Sequence, residues 1–121
     1  MSVLAGFLMP HPPIIVPSVG RGEERPAQQT IDRCRAVASE IVDLDPETIV
    51  ISSPHAPLYR DGFYLAQGAH LHGSMARFGV PKDTIDANID TEFAQALAEN
   101  AEHKGIPTGG DPSEASAFDH G

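Results

Sequence analysis

Cysteine, basic residues and long apolar runs are all scarce in this sequence. Cys34 is the single cysteine, so no disulfide can form within the chain and nothing indicates an oxidising compartment. Eight basic residues stand against 17 acidic ones, and the net charge of −9 opposes both nucleic-acid backbones and anionic lipids. The opening apolar run, Val3 to Met9, is too short to span a membrane. We therefore expect a cytoplasmic protein with neither nucleic acid nor membrane as a partner.

The pattern of apolar residues predicts an α/β fold with a parallel or mixed central sheet and flanking helices. Val3 to Met9, bounded by Pro10, is typical of a buried parallel strand, and Thr48 to Ser52 is a second β-branched run. Between them, after Pro26, apolar residues recur at helical spacing: Ile31, Cys34, Ala38, Ile41 and Val42. A right-handed crossover would make the two strands parallel. At 121 residues, the whole of 1–121 is expected to be one domain or part of one.

The second half of the sequence predicts less regular strands followed by a helix. Residues 63–78 read as one or two strands. Asp90 is a suitable N-cap for a helix from Thr91 to His103, which Lys104 and Gly105 would end. Ile106 is expected to begin a short strand, and residues 108–113 are turn-forming.

Two histidines follow the two predicted parallel strands. His11 and His55 are each enclosed by prolines, which restrict the backbone on both sides. Since parallel strands end at the same edge of a sheet, the two imidazoles can converge on one metal ion. By spacing alone, hydrogen bonding to backbone or solvent is slightly favoured. His70 and His72 also share a strand face and could chelate a metal, although a solvated face explains them more simply.

Several motifs resemble the catalytic LigB-type subunit family of class III extradiol ring-cleavage dioxygenases. They are MPHPPIIVPSVGRGEE (9–24), TIVISSPHAPLYRDGF (48–63) and FDHG (118–121). Together with HGSMARFG (72–79), the first two also resemble the N-terminal domain of the AmmeMemoRadiSam system protein A family. The likeness covers nearly the whole chain, with the motifs in the family's order.

The resemblance implies a ferrous ion held by two histidines and a glutamate. His11 and His55 match the histidine ligands, whereas the family's glutamate and its main acid/base histidine lie beyond Gly121. His120 matches a histidine near the bound substrate, which implies a supporting catalytic role. Substitutes for the missing carboxylate, each with an ordinary alternative role, are Asp61, Asp111, Glu114 and Asp119. Tyr59 and Arg60 are candidate substrate-binding residues, with a solvated loop about equally expected.

The implied activity is Fe(II)-dependent extradiol cleavage of a catechol-like ring with O2. One alternative is a Memo-like binding or scaffold protein on the same fold, which the missing glutamate would favour. A second is hydrolysis at a zinc ion held by the same histidines. Because family domains are longer, the chain is expected to be a truncated product, inactive alone. Its exposed strand edges would favour homo-oligomers or aggregation.

Overall fold

The computed structural model describes residues 2–55 and 57–110, which form short helices and two small sheets. The α-helices are α1 (Pro17–Gly20), α2 (Gln28–Leu44) and α3 (Thr91–His103), with 3-10 turns at Pro13–Ile15, Arg25–Ala27 and Ala76–Phe78. The strands are β1 (Phe63–Tyr64), β2 (His70–Met75), β3 (Val80–Asn88) and β4 (Thr108–Gly109). The mixed α/β class predicted from the sequence is confirmed.

Helix α2 lies where the apolar spacing predicts it. Pro26 falls in the 3-10 turn that leads into the helix, a position that needs no backbone N–H. Ile31 is buried, and Cys34 is half-buried on the same face. Val42, predicted to face inward, is instead 75% exposed. The helix ends as Asp45 adopts a left-handed conformation with φ of 46°.

Helix α3 has the predicted bounds, and Asp90 caps it as expected. The Oδ1 atom of Asp90 accepts a hydrogen bond of 2.9 Å from the backbone N–H of Phe93. Its other oxygen accepts a hydrogen bond from the hydroxyl of Thr48. This second bond ties the start of α3 to the segment that follows α2. The Thr48 hydroxyl and then the Phe93 N–H lower the pKa of Asp90, because both bonds favour the charged carboxylate.

Strands β2 and β3 form an antiparallel hairpin, and β1 and β4 form a short parallel pair. The hairpin turn ends at Gly79, whose φ of 81° is in the left-handed region that glycine adopts without strain. In the parallel pair, the N–H of Phe63 donates to Pro107 and the N–H of Leu65 donates to Gly109, both at 2.9 Å. Strand β4 lies within residues 108–113, where the sequence predicts a turn.

The predicted central sheet does not form among residues 2–55 and 57–110. The segments 3–9 and 48–52 are not strands, and the sheets of the described chain have two strands each. An apolar, β-branched composition indicates that a segment suits a buried pleated surface. A strand also requires a neighbour that exchanges backbone hydrogen bonds with it. Neither segment has such a neighbour among the described residues, so these strand predictions were wrong for this structure.

The described chain has a small core and an unusually large surface. Ile31, 5% exposed, is the buried apolar side chain, whereas Val3 and Leu8 are at least 91% exposed. The accessible surface is 9279 Å², against about 6,300 Å² for a compact protein of the same mass. Predicted self-association through the exposed segments stays a prediction. Within the described ranges, no helix is both long and apolar enough to cross a membrane.

Candidate metal centre

His11 lies at the entrance to a tightly turned segment that packs on the hairpin. Prolines at positions 10, 12 and 13 limit its backbone, and the 3-10 turn Pro13–Ile15 follows directly. The N–H of Ile15 donates to the carbonyl of Pro12 at 3.0 Å. A few residues on, the hydroxyl of Ser18 donates to the carboxylate of Asp83 in β3. These contacts hold the loop that carries His11, although the segment before it, residues 3–9, is not a strand.

His55 lies in a turn that follows the second apolar segment. Pro54 precedes His55, and the backbone N–H of His55 donates to the hydroxyl of Ser53 at 3.2 Å. Such a local side-chain bond is typical of a Ser-containing turn. His55 is exposed and His11 is half-buried, so both rings can be reached from solvent.

The structure brings the two imidazoles together although they are 44 positions apart in sequence. The Nε2 atom of His11 lies 2.9 Å from the Nε2 atom of His55. The ring centroids are 4.9 Å apart and the ring planes meet at 76°. Either Nε2 can be the donor of this hydrogen bond, depending on which ring carries the proton there.

The 2.9 Å separation of the two Nε2 atoms is that of an ordinary hydrogen bond. It is also short enough for both nitrogens to lie about 2.1 Å from one shared ion.

A third ligand is not assembled within the described part of the chain. Residues 2–55 and 57–110 contain no group of three histidine, cysteine or acidic side chains placed to hold a metal, so Asp61 does not join His11 and His55. The other candidate carboxylates, Asp111, Glu114 and Asp119, lie outside the described residues, as does His120.

Tyr59 and Arg60 both lie on the exposed loop after His55. The ring of Tyr59, 42% exposed, lies 6.2 Å from the ring of Tyr64, centroid to centroid, at an angle of 48°. Because Tyr64 belongs to β1, this contact links the loop to the parallel pair. The contact between Tyr64 and Tyr59 is not predictable from sequence, since a spacing of five positions matches neither the helical nor the strand period.

The chain belongs to the family of the catalytic LigB subunit of aromatic ring-opening dioxygenases, whose family model matches residues 5–121. Among known relatives, Protein CA_C1420 of Clostridium acetobutylicum is 36% identical over 108 residues. The alignment covers 89% of this chain but 23% of that protein, so the chain spans about a quarter of its relative's length. No solved structure matches the chain.

Proposed function

We propose that this chain carries the histidine half of an Fe(II) site in an extradiol-type ring-cleavage domain. His11 and His55 hold the ion through their Nε2 atoms. The substrate is a catechol-like aromatic compound and the second substrate is O2. We also propose that the chain is most similar, within this class, to the N-terminal domain of the AmmeMemoRadiSam system protein A family.

The observation that supports the proposal is the 2.9 Å approach of the two Nε2 atoms. Two solvent-accessible histidines from separate loops gain little by meeting, because one neutral imidazole bonds as well to water as to another imidazole. A shared ligand explains their convergence, and the family membership indicates which reaction such a ligand would serve.

Ferrous iron, when bound, supplies the Lewis acidity and redox chemistry that let O2 react with an electron-rich ring. In extradiol cleavage the ring C–C bond beside one hydroxyl breaks, and both oxygen atoms of O2 enter the product. Tyr59 and Arg60, exposed beside His55, would contact the substrate, with the guanidinium favouring a negatively charged ring oxygen. His120 would hold or move a proton near the substrate.

Anaerobic titration with Fe(II) tests the ligand assignment. We expect one tightly bound ion per chain, and roughly a 100-fold or greater loss of its affinity in His11→Ala and in His55→Ala, since even the loss of an outer hydrogen-bond partner costs 10–100-fold. His103→Ala is the matched control, because His103 is an exposed histidine in the last turn of α3. Iron binding that is indifferent to His11 and His55 would refute the assignment.

Oxygen uptake with a catechol then tests the activity. A loaded chain that consumes O2 only with the catechol present supports ring cleavage. A chain that binds iron but consumes none supports the second candidate, a Memo-like binding protein on the same framework. The observation that favours this candidate is the lack of a third ligand beside His11 and His55 in the described ranges. Zinc bound in preference to iron would instead favour hydrolysis.

A further inference from the structure

The hairpin carries a second pair of histidines, placed by strand register. In the antiparallel ladder, His70 faces Asn88 and His72 faces Asp86. Because side chains alternate between the faces of a strand, all four lie on one face. The Cα atoms of His70 and His72 are about 7 Å apart along the strand. They line a shallow depression of about 310 Å³ on the hairpin.

Each of these imidazoles is oriented by an oxygen on the opposite strand. The Nδ1 atom of His72 lies 2.6 Å from Oδ1 of Asp86, and the Nδ1 atom of His70 lies 2.8 Å from Oδ1 of Asn88. A carboxylate and an amide oxygen only accept hydrogen bonds, so Nδ1 is the donor in both rings. When the rings are neutral, the Nε2 atoms therefore carry the lone pairs.

This is the arrangement that proteins use behind histidine metal ligands. A ligating histidine almost always donates its other N–H to a carboxylate or carbonyl, which fixes the tautomer and raises the basicity of the ligating nitrogen. Here that arrangement occurs twice on one exposed strand face, and the side chain of His72 is 58% accessible. Two imidazoles so oriented, two positions apart on one strand, have the hydrogen-bonding pattern of histidine metal ligands.

We propose that His70 and His72 bind a divalent transition-metal ion through their Nε2 atoms, with Asp86 and Asn88 as positioning residues. Imidazole suits zinc, copper and nickel. Solvent completes the coordination, because residues 2–55 and 57–110 assemble no group of three ligands. With two ligands instead of four, the dissociation constant is expected on the order of 1–100 µM.

The hairpin site is distinct from the His11–His55 pair. His70 and His72 are held by strand register and by side chains of β3, whereas His11 and His55 lie on loops 44 positions apart. The two sites can therefore be tested separately. A chain with His11→Ala and His55→Ala together keeps the hairpin site intact, so loss of the proposed iron site leaves this proposal untouched.

Calorimetric titration of that double variant with Zn²⁺ tests the proposal. One ion per chain is expected, with affinity lowered about 100-fold or more when His70→Ala or His72→Ala is added, since even the loss of an outer hydrogen-bond partner costs 10–100-fold. Asp86→Ala leaves both ligands in place but removes the acceptor of His72, and is expected to lower affinity by less, about tenfold. His103→Ala, again the control, is expected to change nothing.

Long-range 1H–15N spectra of the histidine rings supply an independent readout. Without metal, His70 and His72 should show a protonated Nδ1, and Zn²⁺ should shift their Nε2 signals before those of His103. The proposal is overturned if the double variant binds no Zn²⁺ at 1 mM, taken as roughly ten times the weakest constant expected. It is equally overturned if binding persists without His70 and His72.

Discussion

The apolar segments and the hairpin both have sequence that suits strands, but the hairpin forms strands and the apolar segments do not. Residues 3–9 are an apolar run and residues 48–52 are rich in β-branched side chains, yet neither segment forms a strand. Strand β2, which carries two exposed histidines, pairs along its length with β3. The hairpin partners are joined by the four residues 76–79, so little loop entropy is lost when they meet. Parallel strands need a long crossover and cover on both faces. Local partners, more than apolar composition, determine which strands form here.

Hydrogen exchange tests this contrast directly, and we expect the largest effect there. Amides bonded within the β2–β3 ladder should exchange at least about 100-fold more slowly, after correction for sequence, than those of residues 3–9 and 49–51, which have no backbone partner among the described residues. The amides of α3 provide a protected reference. Equal protection in the two regions would mean that the apolar segments are paired strands in solution.

The parallel pair β1–β4 is intermediate between the hairpin and the unpaired apolar segments. A single added methyl group should disrupt its pairing. A Cβ added at Gly62 would lie 2.6 Å from the carbonyl oxygen of Pro107 and 3.1 Å from its Cβ. Since Pro107 accepts the first hydrogen bond of the pair, Gly62→Ala should separate the strands and destabilise the chain by about 1–3 kcal/mol. Urea denaturation measures the loss.

Gly109→Ala is the matched control for this substitution. Gly109 is in β4 itself, and an added Cβ there meets nothing within 4 Å. Its effect should stay within about 0.5 kcal/mol. Equal losses in the two variants would show that the close approach at Gly62 does not govern the pairing.

The sequence predicts those features that depend on near neighbours. Helix α3 and its Asp90 cap follow from a cap residue and a helical stripe, both local signals. The approach of His11 and His55 was expected as well, but through parallel strands that are not formed. Prolines and local turns hold these loops instead. The oxygen partners of His70 and His72 were not predicted, because hairpin register depends on where the turn falls.

Asp90 connects the apolar segment 48–52 to helix α3 through the bond from Thr48. We expect the smallest effect on stability there. The hydroxyl of Thr48 is the main cause of the lowered pKa of Asp90, followed by the N–H of Phe93. A carboxylate with a lowered folded-state pKa adds stability above its unfolded pKa, and this contribution is lost as pH falls through the folded value. The contribution should thus be present at pH 7 and disappear below about pH 4. Solvent screening keeps it small, because the group is exposed.

Thr48→Val separates the tie to the apolar segment from the helix cap. It removes the hydroxyl donor but leaves the Phe93 N–H, so the pKa of Asp90 should rise towards its ordinary value without reaching it. Asp90→Asn should remove this residue's share of the acid sensitivity altogether. Carbon-13 titration of the Asp90 carboxyl in the Thr48→Val chain measures the first effect, and urea midpoints at pH 7 and pH 3 measure the second. If Thr48→Val leaves the pKa unchanged, the helix cap alone accounts for the lowered value, and segment 48–52 is no better anchored in solution than residues 3–9.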